Sequence, residues 1–237
     1  MVREKIRRRP DFIEVIYSEE HWKLFNYLRR EALSILEIFE SNNVKAFVHG
    51  SLARGDVWEK SDIDIIIPYV IPSYKIEYLL ESHGLNIYSK YIVLATPSST
   101  PKAYIVLDSE ERKTISFPLR DFKTREYEFY KFGGLIDYND LKQNKRVPGV
   151  DKRLVFIEPT QRGHIEHPVI GYENIVASKL GISIETVLER IRVLSRRDEI
   201  GRTGVYVKYE LSQNDSFEKT LNEIARKNPS IRERIDE

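Results

Sequence analysis

The chain has 237 residues, of which 41% are hydrophobic and 32% charged, a composition typical of a globular protein with one or two domains. Its 38 Lys and Arg residues balance 37 Asp and Glu residues, and this net charge of +1 gives no reason to expect an indiscriminate binder of nucleic acids or membranes. The absence of cysteine excludes disulfides, thiolate metal sites and cysteine nucleophiles. No apolar run reaches the roughly 20 residues of a membrane span. We therefore expect a cytoplasmic protein without a membrane partner.

Hydrophobic periodicity predicts alternating helices and strands in the first half of the chain. The predicted elements are a helix at 19–39, strands at 45–49 and 63–70, a helix at 72–83, and strands at 92–95, 103–107 and 114–119. A charged turn at 108–113 separates the last two strands and indicates a hairpin. The order of these elements favours an α+β fold with a mixed sheet and flanking helices.

The second half of the chain has a different pattern. It predicts a strand at 154–157, a linker at 159–163, helices at 172–180 and 183–196, an alternating segment at 205–211 and a helix at 216–227. His164 and His167 lie three residues apart, but Pro168 follows them, and we interpret the pair as part of a loop. The sequence thus predicts two domains, 1–158 and 159–237.

Two aspartates carry the clearest chemical signal. Asp62 and Asp64 flank Ile63 at the start of a predicted strand. Alternate side chains of a strand share a face, so the two carboxylates should point together while the isoleucines face the core. Paired carboxylates suit hard divalent cations, and the sequence predicts a site for Mg²⁺ or Mn²⁺.

A glycine-serine turn precedes the aspartates. Gly50 allows the backbone to approach a ligand closely, and the N–H groups after Ser51, at a predicted helix start, can hold phosphate oxygens. Phosphate on one side and a cation on the other predict a site for a nucleoside triphosphate.

These residues resemble the DNA polymerase β-like nucleotidyltransferases, whose signature is Gly-Ser or Gly-Gly followed after about a dozen residues by Asp-apolar-Asp. Here, ten residues separate Gly50-Ser51 from Asp62-Ile63-Asp64. Ala53-Arg54-Gly55 and Ser61 are similar to the minimal branch of that family. The resemblance covers about 20 residues directly, and the predicted order of elements fits the same fold over roughly the first 120.

The resemblance implies transfer of a nucleoside monophosphate to an unidentified hydroxyl acceptor with two metal ions, bridged by Asp62 and Asp64. It also implies that Gly50 and Ser51 hold the β- and γ-phosphates. Arg54 either meets phosphate or forms a structural salt bridge with Asp56 or Asp62.

The family's usual third carboxylate is not evident. The strand expected to carry it, at 113–119, contains no acid. Asp108 is a candidate substitute, and the alternative is an ordinary turn aspartate. The missing acid leaves a second function open: a nucleic-acid-binding regulator whose nucleotidyltransferase domain binds nucleotide without turnover.

The C-terminal half looks like a winged helix-turn-helix. Gly181 permits a tight turn, Ser183 is a predicted N-cap, and residues 196–211 are the predicted wing hairpin. Residues 183–208 carry six basic and four acidic side chains, so both DNA or RNA contact and a protein-interaction role stay open. Arg196, Arg197 and Arg202 are the predicted phosphate contacts. The sequence does not indicate an oligomeric state.

Overall fold

The structure is a computed structural model that describes residues 6–7, 11–201, 204–228 and 231–232. Its strands are β1 (Ile13–Ile16), β2 (Phe47–His49), β3 (Ile63–Ile66), β4 (Ser89–Leu94), β5 (Lys102–Val106), β6 (Lys113–Pro118), β7 (Leu135–Asp137), β8 (Gly149–Val150), β9 (Val155–Thr160), β10 (Gly163–Pro168) and β11 (Val207–Leu211). Its helices are α1 (Glu19–Ser41), α2 (Ser51–Arg54), α3 (Ser73–Ser82), α4 (Thr124–Gly133), α5 (Tyr138–Lys142), α6 (Glu173–Leu180), α7 (Ile184–Ile200) and α8 (Phe217–Lys227). This mixed content confirms the α+β class.

The chain forms two compact units that alternate along the sequence. The first comprises residues 1–34, 47–61 and 124–203, and the second comprises 35–46, 62–123 and 204–237. This grouping differs from the predicted division at residues 158 and 159. The C-terminal strand β11 accounts for the difference, because it pairs with β4 and so joins residues 204–237 to the second unit.

The second unit contains a mixed sheet in the order β11-β4-β5-β6-β3. Only the β3–β6 pair among these described strands is parallel, and the antiparallel pairing of β5 with β6 confirms the predicted hairpin. Ile65, Ile115 and Phe117 are buried, and the Phe117 ring meets Phe217 of α8 edge-on at 5.7 Å. A helix therefore covers this apolar face, as expected for a sheet with a polar opposite side.

The predicted wing hairpin at 196–211 is wrong. Residues 196–200 continue α7, and Val207–Leu211 pairs antiparallel with Leu94–Lys90 of β4. Lys90 reinforces this pairing, because its buried ammonium donates to Glu77 at 2.9 Å and to the backbone oxygens of Gln213 and Asp215 at 2.7 and 2.8 Å. Alternation in the sequence identifies a strand, but the partner of that strand is set by distant residues.

The first unit contains a four-stranded sheet in the order β1-β10-β9-β8. The predicted linker at 159–163 is wrong, because β9 continues to Thr160 and turns tightly into β10, where Gly163 pairs with Thr160. A Cβ on Gly163 would lie 1.9 Å from the Val15 carbonyl oxygen, so the close approach of β1 requires glycine there. The core that packs on this sheet includes Phe156, Val176 and Val187.

Candidate functional site

The two aspartates lie as the strand pattern predicts. Ile63 and Ile65 are 2% and 1% exposed, whereas Asp62 and Asp64 on the opposite face are exposed. The structure thus brings the two carboxylates to one accessible face at the start of β3, within the second unit. Burial of the isoleucines fixes this register, because a slip by one residue would turn the acids into the core.

A threonine lies beside Asp64 on the neighbouring strand. In the parallel pairing of β3 with β6, Asp64 is in register with Thr114, and the Thr114 hydroxyl donates to Asp64 Oδ1 at 2.9 Å. The resembled family usually carries a third carboxylate on this strand, whereas the structure places a hydroxyl at the position next to Asp64. Thr114 is the functional candidate that sequence reasoning missed, because the strand register cannot be read from the sequence alone.

Asp108 closes the turn between β5 and β6. Its Oδ1 accepts hydrogen bonds from the backbone N–H groups of Glu110 and Arg112, each at 3.0 Å. Asp108 follows β5, and β6 lies between β5 and β3 in the sheet. The backbones of β5 and β3 are therefore two strand spacings apart, about 9.5 Å. This geometry favours the turn interpretation of Asp108 over the metal-ligand one.

The glycine-serine turn belongs to the first unit. Gly50 has φ of 85° and ψ of −145°, and within the described residues no atom outside its immediate chain neighbours lies within 4 Å of where its Cβ would be, so the backbone here is open to approach. The Ser51 hydroxyl donates to the Ser61 hydroxyl at 3.2 Å, and Ser61 Oγ accepts from the Trp58 N–H at 2.9 Å. Ser61 therefore ties the turn to the loop that leads into Asp62.

Arg54 is a structural residue. It is 5% exposed, and it forms a bidentate ion pair with Asp56 at 2.9 and 2.8 Å. Its remaining nitrogen donates to the Gly133 and Val150 carbonyl oxygens at 2.5 and 3.4 Å. Because these groups occupy the buried guanidinium, the geometry favours the salt-bridge alternative for Arg54 over the phosphate contact.

The carboxylates suit one kind of cation. In the described parts of the chain, no group of three or more His, Cys, Asp or Glu side chains could hold a metal ion. Mg²⁺ keeps several water ligands and commonly binds through one or two carboxylates together with substrate phosphates. A pair of carboxylates such as Asp62 and Asp64 is the kind of donor set through which Mg²⁺ binds in this way.

The two predicted helices α6 and α7 and the turn between them are present, but the first turn of α7 is occupied. Gly181 is left-handed at φ 60°, and Ser183 caps α7. Glu128 of α4 accepts from the Ser183 N–H and hydroxyl at 3.1 and 2.5 Å and from the Thr186 hydroxyl. Although burial acts to raise it, these hydrogen bonds lower the pKa of Glu128. A carboxylate thus takes the place where a DNA phosphate would meet this helix end.

The predicted phosphate contacts lie at the other end of α7. Arg196 and Arg197 are exposed in its last turns, beside Asp198 and Glu199, whereas Arg202 lies outside the described residues. Arg190 is packed with its guanidinium carbon 4.8 Å from the Phe129 ring centre of α4. The face of α7 that carries Arg190 is therefore directed to the protein interior.

A buried polar network lies between β1 and β10. The Tyr17 hydroxyl is 2.6 Å from His164 Nδ1, and His164 Nε2 is 3.4 Å from Glu166. Arg7 and Arg153 form ion pairs with Glu166. Burial lowers the pKa of His164 against the raising effects of Glu166 and Asp56, and burial also raises the pKa of Tyr17. The network therefore holds His164 neutral and Tyr17 protonated.

We expect this network to make the protein less stable in mild acid. The folded-state pKa of His164 is depressed, so its contribution to stability is present above its ordinary pKa of 6.5 and is lost as the pH falls below that value. Denaturant unfolding at pH 7.5 and pH 5.5 measures the loss of unfolding free energy between the two pH values. It should be smaller in His164→Gln than in the unchanged protein, whereas His83→Gln, at an exposed histidine, should leave it unaltered. An equal loss in all three proteins would contradict the assignment.

The structure combines a mixed sheet with two carboxylates on one face of a strand. A comparison with known families agrees with the resemblance to nucleotidyltransferases. Residues 34–91 match the sequence model of the family described as Polymerase beta, Nucleotidyltransferase. The matched stretch contains the Gly50-Ser51 turn and both aspartates. It covers about a quarter of the chain and supports a resemblance to this family, with nucleotidyl transfer as the general activity that the description suggests.

Other comparisons add no relative. No curated protein and no solved structure matches the chain. None of the helices in the described residues is both long enough and apolar enough to cross a membrane.

Proposed function

We propose that the protein transfers a nucleoside monophosphate from a nucleoside triphosphate to a hydroxyl acceptor. The observation that carries this proposal is the pair of exposed carboxylates at Asp62 and Asp64, set by the buried isoleucines of β3 and contained in the matched stretch. The preceding Gly50-Ser51 turn supports it, because its open backbone suits the approach of phosphate oxygens.

In this proposal, Asp62 and Asp64 hold the magnesium-bound triphosphate and orient its α-phosphate for in-line attack. The cation supplies charge stabilisation at the phosphoryl oxygens when bound. The resemblance assigns the distal phosphates to Gly50 and Ser51, and within the first unit the Ser51 hydroxyl is fixed through Ser61. The full two-metal arrangement of the resembled family belongs to this proposal and rests on the resemblance.

A second function has its own observation. At the register position next to Asp64, β6 has a threonine where the resembled family usually has a carboxylate, and this favours a protein that binds magnesium and nucleotide but transfers slowly or not at all to an added acceptor. Such a protein would act as a regulator through its helix-turn-helix.

One experiment separates the two functions. The protein is incubated with each labelled nucleoside triphosphate, magnesium, and RNA, protein and small-molecule acceptors in turn. Transfer of label that disappears in Asp62→Asn and Asp64→Asn supports the first function. Magnesium-dependent binding of nucleotide with no transfer to any acceptor overturns the first function and supports the second.

We further propose that any nucleic-acid contact by the helix-turn-helix occurs through Arg196 and Arg197, because Glu128 occupies the opposite end of α7. A mobility-shift assay over a salt series should then show affinity that falls as salt rises, and the double variant Arg196→Glu/Arg197→Glu should flatten the salt dependence. Arg30→Glu, at an exposed arginine of α1, is the matched control. No binding at low salt, or binding insensitive to salt, would refute the proposal.

A further inference from the structure

Thr114 lies directly beside one of the paired carboxylates. The Thr114 hydroxyl donates to Asp64 Oδ1 at 2.9 Å, and the two residues are in register in the β3–β6 pairing. Both side chains are accessible, since Asp64 is exposed and Thr114 is partly exposed. The hydroxyl is therefore an accessible nucleophile next to the carboxylates that would hold a triphosphate.

We propose that Thr114 is itself a nucleotide acceptor and that the protein attaches one nucleoside monophosphate to its own Thr114. This inference rests on the proposed nucleotidyl transfer. Thr114 Oγ1 forms a bond to the α-phosphorus, and the bond from that phosphorus to the oxygen bridging the β-phosphorus breaks. Pyrophosphate leaves with the bonding electron pair, and the hydroxyl proton passes to solvent water. The product is a phosphodiester between the threonine and the nucleoside.

Thr114 is favoured over the other hydroxyl of the same strand. Ser116 is 8% exposed, and its hydroxyl donates to the Ile65 backbone oxygen at 3.4 Å. It is also in register with Ile66 rather than with an acid, so it has no carboxylate beside it in the β3–β6 pairing. Thr114 thus combines access with a position beside the paired carboxylates, and we expect modification at this one position of β6.

The adduct should limit its own formation. A phosphodiester on Thr114 places a nucleotide and a negative charge beside Asp62 and Asp64. Because like charges repel and the added group fills the accessible face, a second triphosphate should bind more weakly there. We therefore expect at most one nucleotide per chain and a loss of magnesium-dependent nucleotide binding as the adduct accumulates.

Mass spectrometry of the intact protein tests the inference. The full chain is incubated with ATP and Mg²⁺, and a mass increase of one AMP unit per chain should appear and map to the peptide containing Thr114. Thr114→Ser keeps the hydroxyl and should keep the adduct, whereas Thr114→Val should abolish it. Thr96→Val, at an exposed threonine outside the strands, should gain the same adduct as the unchanged protein. Circular dichroism confirms that each variant is folded.

Transfer to added acceptors and magnesium-dependent ATP binding are measured in parallel. An adduct at Thr114 that is lost in Thr114→Val and kept in Thr114→Ser supports the inference. Transfer to an added acceptor without an adduct, or an adduct that survives Thr114→Val, overturns the inference and leaves the proposed function standing. Neither adduct nor transfer to any acceptor overturns both.

Discussion

Replacing either aspartate of the pair should reduce nucleotidyl transfer by at least about 10²-fold, the loss commonly seen when one preorganised charge-stabilising group is removed from an active site. Asp62→Asn and Asp64→Asn keep the shape of the side chain and remove its negative charge, so they test the cation-binding role and should leave the fold intact. Because the positions are exposed, stability should change by no more than about 0.5 kcal/mol. Initial rates of labelled nucleotide transfer measure the effect.

The two substitutions should not be additive. If both carboxylates hold the same magnesium-bound triphosphate, removing one of them already abolishes most of the transfer. The transfer rate of the double variant should therefore be close to that of either single variant. Glu81→Gln, at an exposed acid of α3 in the same unit, serves as the charge-matched control and should retain the full rate. Transfer at the original rate in both single variants would place the chemistry elsewhere in the protein.

Removing Arg54 should cause the largest loss of stability. Arg54→Met preserves much of the side-chain volume but leaves the Asp56 carboxylate and the Gly133 carbonyl without their donor. Breaking one side of a buried ion pair costs about 3–5 kcal/mol. Denaturant unfolding followed by circular dichroism should therefore show a strongly lowered midpoint with native secondary structure retained in the absence of denaturant.

A second substitution identifies the source of that loss. Arg54→Met/Asp56→Asn removes the unpaired charge as well and should recover part of the stability. Arg30→Met, at an exposed position of α1, should change the free energy of unfolding by no more than about 0.5 kcal/mol. A small loss in Arg54→Met, accompanied by weaker nucleotide binding, would instead support the phosphate contact that the sequence leaves open.

The sequence predicts the regular elements well where the periodicity is strong. The helix predicted at 19–39 is observed as Glu19–Ser41, and the helix predicted at 216–227 is observed as Phe217–Lys227. The alternation around Ile63 also correctly predicts which face the two aspartates share. In each case the information is local, because it depends on which side chains must be buried within one helix or strand.

Hydrophobic periodicity does not predict strands whose buried side chains are polar. The sequence predicts a loop around His164 and His167, yet both residues lie in β10 and are 5% and 2% exposed. Apolar alternation is absent there, since the buried side chains include His164 and Glu166, which are satisfied by Tyr17 and by two arginines. Their hydrogen-bond and ion-pair partners are far away in sequence, so a local sequence pattern does not predict them.

Pairing partners account for the remaining errors. The segment at 205–211 alternates like a strand, but its place beside β4 rather than in a wing depends on residues more than one hundred positions earlier. The same limit applies to Thr114 and Glu128. Thr114 is a functional candidate only because the register of β3 with β6 places it beside Asp64. Glu128 matters because it accepts hydrogen bonds from Ser183, the N-cap residue of a helix about 55 residues away.

Calorimetric titration of a nucleoside triphosphate into the protein, with and without Mg²⁺, tests the central claim most directly. The paired carboxylates predict binding at one site that requires magnesium and is lost in Asp62→Asn/Asp64→Asn, while Glu81→Gln binds as the unchanged protein does. Binding that is independent of magnesium, or that persists in the double variant, would contradict the assignment of Asp62 and Asp64 as the metal-nucleotide site.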